Sequence, residues 1–249
     1  MNIFLLGSGK FFENYLNNYL NKEISHKIIF CLTDKKNIIN FKNKVNNINF
    51  FEISTNYHDE KIIENIILEE KIDLILSIQY KWIISEKIIN LINHKIINFH
   101  NAKLPEYRGH HALTHEIINE EKKHTCTIHW IDKVVDQGKI ILSESFEIED
   151  NETAHSLLLK SINIGTHLLE KLMDNLEKIY KNHEGEKIND LGKFYSKKDI
   201  EKLKNINPSW DFKKVEKIVR ACYCPPYEPA FIKNNGKKIY LFPENYLIK

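Results

Sequence analysis

Arginine is nearly missing from this chain. Of its 36 basic residues only two are arginine, Arg108 and Arg220. Glycine (8), proline (6) and cysteine (4) are also scarce among the 249 residues. Few glycines and prolines exclude a collagen-like or low-complexity chain. The cysteines, Cys31, Cys126, Cys222 and Cys224, are irregularly spaced, and Cys222-Tyr223-Cys224 is not the CxxC of a zinc or thioredoxin site. They read as free thiols in a reducing cytosol. No apolar run approaches the roughly 18 residues of a membrane span. Met1 runs straight into Asn2-Ile3-Phe4-Leu5-Leu6-Gly7, with no basic leader or cleavage site. A cytoplasmic location and no membrane partner are therefore expected. An excess of one charge is lacking too, since 36 Lys+Arg stand against 34 Asp+Glu, a net +2. An extended nucleic-acid surface makes a domain more basic than that, so no nucleic-acid partner is expected.

What the chain does contain suits a buried core: 42% hydrophobic and 11% aromatic residues, with 28% charged and a mean hydropathy of -0.42. Ile, Asn and Lys crowd the composition. A residue type that such a composition disfavours needs a physical reason to be there, which draws attention to the two arginines and to the few glycines.

Short apolar runs alternate with amphipathic stretches through the first hundred residues. Ile3–Leu6, Ile28–Leu32, Phe50–Ile53, Leu74–Ile78 and Ile96–Phe99 read as buried strands. Residues 10–21, 61–70 and 83–92 carry helical spacing, with Phe11, Tyr15, Leu16 and Tyr19 in the first and Ile62, Ile63, Ile66 and Ile67 in the second. Such alternation predicts an α/β fold with a mainly parallel sheet and helices on both faces. Ligands in such sheets sit at the carboxyl ends of the strands. Further on, 112–119 predicts a helix, 125–131 and 139–148 paired strands, and 153–180 a long helix. After His183-Glu184-Gly185 the composition turns polar, which predicts two domains, 1–185 and 186–249. The second holds a helix over 212–221 and a β-hairpin, 230–232 against 238–241, turned by Asn234-Asn235-Gly236.

Gly7-Ser8-Gly9-Lys10 follows the first strand. It is either an anion-holding nest or a plain tight turn, and it matches neither the dinucleotide fingerprint nor the P-loop. The stretch Asn98-Phe99-His100 is more telling. Two residues apart on a strand, Asn98 and His100 share a face at its carboxyl end. An amide donor beside an imidazole suits acyl chemistry, stabilising an oxyanion and accepting a proton near neutral pH. Asp136, before Gly138 and a strand, either forms a simple turn or delivers a carboxylate to His100. His110, His111 and His115 suggest a metal by count alone; a solvated or substrate-touching pair is the preferred reading, and no metal is expected.

Residues 98–148 closely resemble the 10-formyltetrahydrofolate-dependent formyltransferases. The resemblance rests on Asn98-Phe99-His100, Leu104-Pro105, Tyr107-Arg108-Gly109, Thr127-Ile128-His129 and Asp136-Gln137-Gly138, in order and without gaps. One departure is Ala102, where many members carry Ser. The resemblance implies a Rossmann-like catalytic domain with Asn98, His100 and Asp136 as its catalytic residues. It implies 10-formyltetrahydrofolate as cosubstrate and no metal. The folate is expected against Ser77, Ile78, Gln79, Tyr80 and Val135.

The C-terminal stretch Ile218-Val219-Arg220-Ala221, then Pro225-Pro226-Tyr227-Glu228-Pro229-Ala230-Phe231, resembles the sugar N-formyltransferases within that family. It implies a nucleotide-linked amino sugar as acceptor, first dTDP-4-amino-4,6-dideoxyglucose, for lipopolysaccharide O-antigen synthesis. Lys81, Arg108, His111, Arg220 and Tyr223 are the candidate sugar-nucleotide contacts, with packing or capping the bland alternative for Arg220 and Tyr223. Trp82 and Trp210 are read first as packing residues. The tRNA enzyme carries a larger C-terminal barrel, the purine enzyme little beyond the catalytic domain, and the hydrolase a preceding regulatory domain. The pattern here starts at Ile3, so no such preceding domain is expected. Other acceptors remain as alternatives: a dTDP-3-amino or UDP-4-amino sugar, glycinamide ribonucleotide or methionyl-tRNA. A catalytically idle folate- or nucleotide-binding relative is the remaining alternative, against which the intact Asn98, His100 and Asp136 stand. A homodimer through the C-terminal hairpin is expected, because its edges need covering.

Overall fold

Ile3, Phe4, Leu5 and Leu6 are completely buried, as a strand covered on both faces must be. They form β1 (Asn2–Gly7) in the computed structural model, which describes residues 1–21, 26–45 and 47–244. Alternating elements follow: α1 (Gly9–Leu20), β2 (Lys27–Thr33), α2 (Lys35–Phe41), β3 (Asn49–Glu52), α3 (Asn56–Glu69), β4 (Leu74–Ile78), α4 (Glu86–Leu91) and β5 (Ile96–His100). Side-chain caps start several helices: Asp34, Thr55 and Ser85 accept from Asn37 N, His58 N and Ile88 N. Then come β6 (Arg108–Gly109), α5 (Ala112–Ile118), β7 (Lys123–Trp130), β8 (Ile140–Glu147) and α6 (Ala154–Asn182). Last are β9 (Phe194–Tyr195), α7 (Lys197–Lys204), α8 (Phe212–Cys222), β10 (Phe231–Asn234) and β11 (Lys237–Tyr240).

The main sheet runs β3-β2-β1-β4-β5-β7-β8. Its first five strands pair in parallel, and β7 pairs antiparallel with β5. The Rossmann-like α/β expectation is thus borne out, as is the C-terminal hairpin, β10–β11, which pairs Phe231 with Tyr240. Three features were not foreseen: the helices α2 and α7, and the two-residue pairing of β6 with β9.

The chain folds into two compact units. The first is Met1–His100, Cys126–Glu144 and Ile164–Leu191. Its core joins Phe4, Leu6, Phe30, Leu32, Ile75 and Ile96 of the sheet to Ile63, Ile66, Ile88, Ile89 and Ile92 of α3 and α4 and the residue after it. Phe11 of α1 meets Phe99 of β5 with ring centroids 4.7 Å apart. A Cβ at Gly165 on α6 would run into both rings, so only glycine lets the helix approach the strand that closely.

The second unit is Asn101–Thr125, Ser145–Asn163 and Gly192–Lys249, so its components come from both sides of residue 185. Ile117, Ala154, Leu157 and Ala221 form one core cluster and Ile206, Ile218, Val219, Cys222 and Ala230 another. A buried polar chain also runs through it. The Nδ1 of His124 lies 2.7 Å from Glu116 Oε2 and its Nε2 lies 3.1 Å from Asn101 Oδ1. Asn101 Nδ2 donates to Ser161 Oγ, which donates to Leu158 O. Among the described residues, no helix is long and apolar enough to cross a membrane.

Candidate active site

Polar side chains interrupt the apolar sheet in one row. The register pairs Ser77 of β4 with Asn98 of β5, and Asn98 with His129 of β7. Directly paired residues share a face, so the three side chains line one side of the sheet. His100, two residues beyond Asn98, is paired with Thr127 on that face. This row lies toward the carboxyl ends of β4 and β5.

Asp136 completes the group from the loop between β7 and β8. Its Oδ2 lies 3.9 Å from His100 Nδ1, and its Oδ1 lies 3.6 Å from His129 Nε2. Asn98 Nδ2 lies 3.1 Å from the same Nε2. The three catalytic candidates read from the sequence are thus gathered in one unit, around a histidine that was not among them. Asp136 adopts a left-handed backbone (φ 55), which aspartate tolerates better than most residues. Gly138, two residues on, packs its backbone against the Trp130 carbonyl so closely that any side chain would collide. That contact is the physical need behind the Asp-x-Gly spacing: it turns the loop so that Asp136 faces back toward β5.

The electrostatics are those of a half-dry site. The side chains of His100 and Asp136 are 12% and 11% exposed, and that of His129 is 1% exposed. Burial pushes the His129 imidazole down to about 4, against the pull of the Asp136 carboxylate. A hydrogen-bond donor, a partly exposed imidazole and a carboxylate within reach of one another can bind an oxyanion and move a proton.

The folate candidates Ser77, Ile78, Gln79 and Tyr80 end β4 in the same unit. Ser77 and Ile78 are buried, Gln79 is exposed with φ 55, and Ile78 O accepts from Ser8 N at 3.2 Å. The Gly7-Ser8-Gly9 turn is therefore tied to this segment. Tyr80 donates to Asp59 Oδ2 at 3.1 Å, and Asp59, fully buried, also accepts from Ser54 N at 2.8 Å. Burial, then the Asp59 carboxylate, pushes the Tyr80 phenol well above its usual range. Val135 is half-buried beside Asp136. Lys81 donates to Ser54 O and lies over the Trp82 ring at 4.7 Å.

The remaining sugar-nucleotide candidates belong to the second unit, each with its own neighbours. Arg108 is buried, 6.0 Å from the centroid of Phe194. His111 N-caps α5 with φ 59, and its ring stands edge-on to Tyr227 at 6.4 Å. Burial and then the nearby His110, Lys204 and Lys197 lower its pKa. Arg220 pairs with Glu216 and donates to Glu152 O at 2.7 Å. Tyr223 caps α8 and stands edge-on to His155 and Phe242. Trp210 packs beside the Ile206 cluster, with Lys214 Nζ 4.1 Å from its ring centroid. Among the described residues there is no group of three His, Cys, Asp or Glu placed to hold a metal ion.

Known proteins share parts of this sequence and its fold. A family model described as formyl transferase matches residues 1–171. The bifunctional polymyxin resistance protein ArnA of Wigglesworthia glossinidia brevipalpis is 28% identical over 178 residues, 70% of this chain and 24% of its own length. A methionyl-tRNA formyltransferase of Fusobacterium nucleatum is 29% identical over 162 residues, 61% of this chain and 52% of its own. The chain thus spans about half, or less, of these curated relatives. Among solved structures, a 4-N formyltransferase from Francisella tularensis superposes with a TM-score of 0.78, at 22% identity, over 98% of both chains. An N-formyltransferase from Helicobacter canadensis, crystallised with folinic acid and dTDP-3-aminofucose, gives 0.70 at 21% identity, over 95% of this chain and 85% of its own. Both structural likenesses speak to the fold.

Proposed function

This chain belongs to the formyl transferase family, and from that premise we propose that it is a sugar N-formyltransferase. It moves the formyl group of 10-formyltetrahydrofolate to the amine of a nucleotide-linked amino-dideoxy sugar. dTDP-4-amino-4,6-dideoxyglucose is the first acceptor to test, and the product serves lipopolysaccharide O-antigen synthesis in the cytoplasm. The enzyme works as a homodimer through its C-terminal region. The observation that carries this is the joining of Asn98, His100 and Asp136 at the sheet's carboxyl edge. The end-to-end likeness to a 4-N formyltransferase fold, C-terminal unit included, supports the choice of a sugar amine.

The residues fit the donor. Ser77 is buried in register beside Asn98, and the segment Ile78–Tyr80 is braced by Ser8 and Asp59. In this reading, backbone groups there and at Val135 read the pterin. In the transfer, a neutral amine attacks the formyl carbon. Asn98 uses its second amide hydrogen to donate to the developing oxyanion. His100 accepts the proton the amine loses, and Asp136 steadies the imidazolium so formed. The proton is then delivered to the departing folate nitrogen as the carbon–nitrogen bond to it breaks. Lys81, Arg108, His111, Arg220 and Tyr223 stand as candidates for the sugar nucleotide.

One observation keeps a second acceptor in view. Residues 186–249 hold 14 Lys+Arg against 8 Asp+Glu, a basic segment in a chain that is otherwise acidic. Methionyl-tRNA is therefore the competing acceptor. Tetrahydrofolate release and acceptor mass, followed with each acceptor in turn, separate the two: a 28-dalton gain on the sugar supports the proposal, and formylation of methionyl-tRNA alone replaces it.

A further inference from the structure

His129 is the most buried titratable side chain of the site and has no part in the chemistry above. Its hydrogen bonds can be assigned from its partners. Nδ1 lies 2.8 Å from the Trp130 carbonyl oxygen, which can only accept, so Nδ1 carries a proton. Burial keeps the ring neutral, with its pKa pushed to about 4. A neutral imidazole protonated at Nδ1 has a lone pair at Nε2. The 3.1 Å neighbour of that lone pair is Asn98 Nδ2, which can only donate.

This fixes the orientation of the Asn98 amide. Nitrogen and oxygen of an asparagine are nearly alike in shape, and a half-turn about the terminal bond exchanges them. Turned the other way, the Asn98 oxygen would face the Nε2 lone pair, acceptor against acceptor, and the amide N–H groups would move away from the place they now hold beside His129. The opposite tautomer of His129 would do a second kind of damage. A proton on Nε2 would point toward Asp136 Oδ1, 3.6 Å away, and compete with His100, 3.9 Å from the other oxygen of the same carboxylate. The Trp130 carbonyl selects against that tautomer.

We propose that His129 is a positioning residue. As a neutral Nδ1–H imidazole it orients the Asn98 amide and reserves Asp136 for His100. Its effect on turnover rests on the transferase reading above; its tautomer does not.

The test has two arms. In the first, 15N NMR is recorded on the full chain with labelled histidine and asparagine, without substrates. The expected spectrum shows His129 neutral at pH 7 with Nδ1 protonated. The Asn98 amide resonances shift in His129→Phe and return toward their original positions in His129→Gln, whose amide oxygen can accept in place of Nε2. A protonated Nε2, a cationic ring, or Asn98 resonances unmoved in His129→Phe would overturn the proposal. In the second arm, folded His129→Phe should lose about 100-fold in kcat with KM for both substrates within about threefold. His129→Gln should stay within about fivefold of the parent. Equal loss in both variants, or none in either, would also overturn it. If the parent formylates no acceptor, the transferase reading fails, while the NMR arm still decides the tautomer.

Discussion

Asn98 Nδ2 and His129 Nε2 face each other across β5 and β7 at 3.1 Å, as directly paired residues of two antiparallel strands. The contact joins two parts of the motif set that lie far apart in sequence. A sheet is a rigid place for such a contact, because register and side-chain face are set by the backbone ladder rather than by a loop. The site therefore has a preorganised donor on the sheet and a carboxylate brought in by the loop before β8.

The catalytic roles predict large and similar losses. Asn98→Ala, His100→Ala and Asp136→Asn should each lower kcat by on the order of 100-fold or more. Their effects should be far from additive when combined, since the proposed mechanism has the three act on one transition state. Initial rates of single and double variants check this. His100 is partly exposed, so His100→Ala should unfold at nearly the parent temperature.

Acid should destabilise the fold earlier than carboxylate protonation alone would. His129 and His115 are both held near 4 by burial, below the ordinary histidine value of 6.5. Between those values the unfolded chain takes up protons that the folded chain refuses. Their contribution is intact above pH 6.5 and is lost as pH falls toward 4, by about 3 kcal/mol for His129. Urea unfolding at pH 7, 6 and 5 measures the slope, and His129→Gln should flatten it.

Gly165→Ala should cost stability and activity together. The added methyl meets the rings of Phe11 and Phe99, and Phe99 sits between Asn98 and His100. Overpacking of this kind costs about 1–3 kcal/mol. A lowered melting temperature with a fall in kcat is the expected pair of results. A lowered melting temperature with unchanged kcat would show that α6 moves without disturbing β5.

Glu116→Ala should weaken the fold through His124. The carboxylate and the ring are 1% and 0% exposed, and the substitution leaves a buried ring nitrogen without its hydrogen-bond partner. Such a loss costs about 1–3 kcal/mol, and Glu116→Gln, which keeps an acceptor, should cost less. Thermal melts of the two variants check the order.

Much of this was legible in the sequence. The apolar runs of β1, β2, β4 and β5 declare themselves because both faces of those strands are buried. Asn98 and His100 stand out as polar residues at the end of such a run. His129 stood only as the last residue of the Thr127-Ile128-His129 match and was given no role, because its meaning lies in a cross-strand register that no local pattern carries. Helix α7 hid in a charged stretch where only Ile200 is buried, although its Ser196–Asp199 capping box was readable. The β6–β9 pair is two residues long and leaves no periodic trace. Arg220, conspicuous by rarity, is engaged with Glu216 and the Glu152 carbonyl, which composition could not reveal.

The most direct test is a coupled assay of the full chain with 10-formyltetrahydrofolate. Its acceptor panel holds dTDP-4-amino, dTDP-3-amino and UDP-4-amino sugars, glycinamide ribonucleotide and methionyl-tRNA. A sugar N-formyltransferase should release tetrahydrofolate and add 28 daltons to one amino sugar, and His100→Ala should abolish both. Folate binding with no sugar formylated, or formylation of methionyl-tRNA or glycinamide ribonucleotide instead, would contradict it.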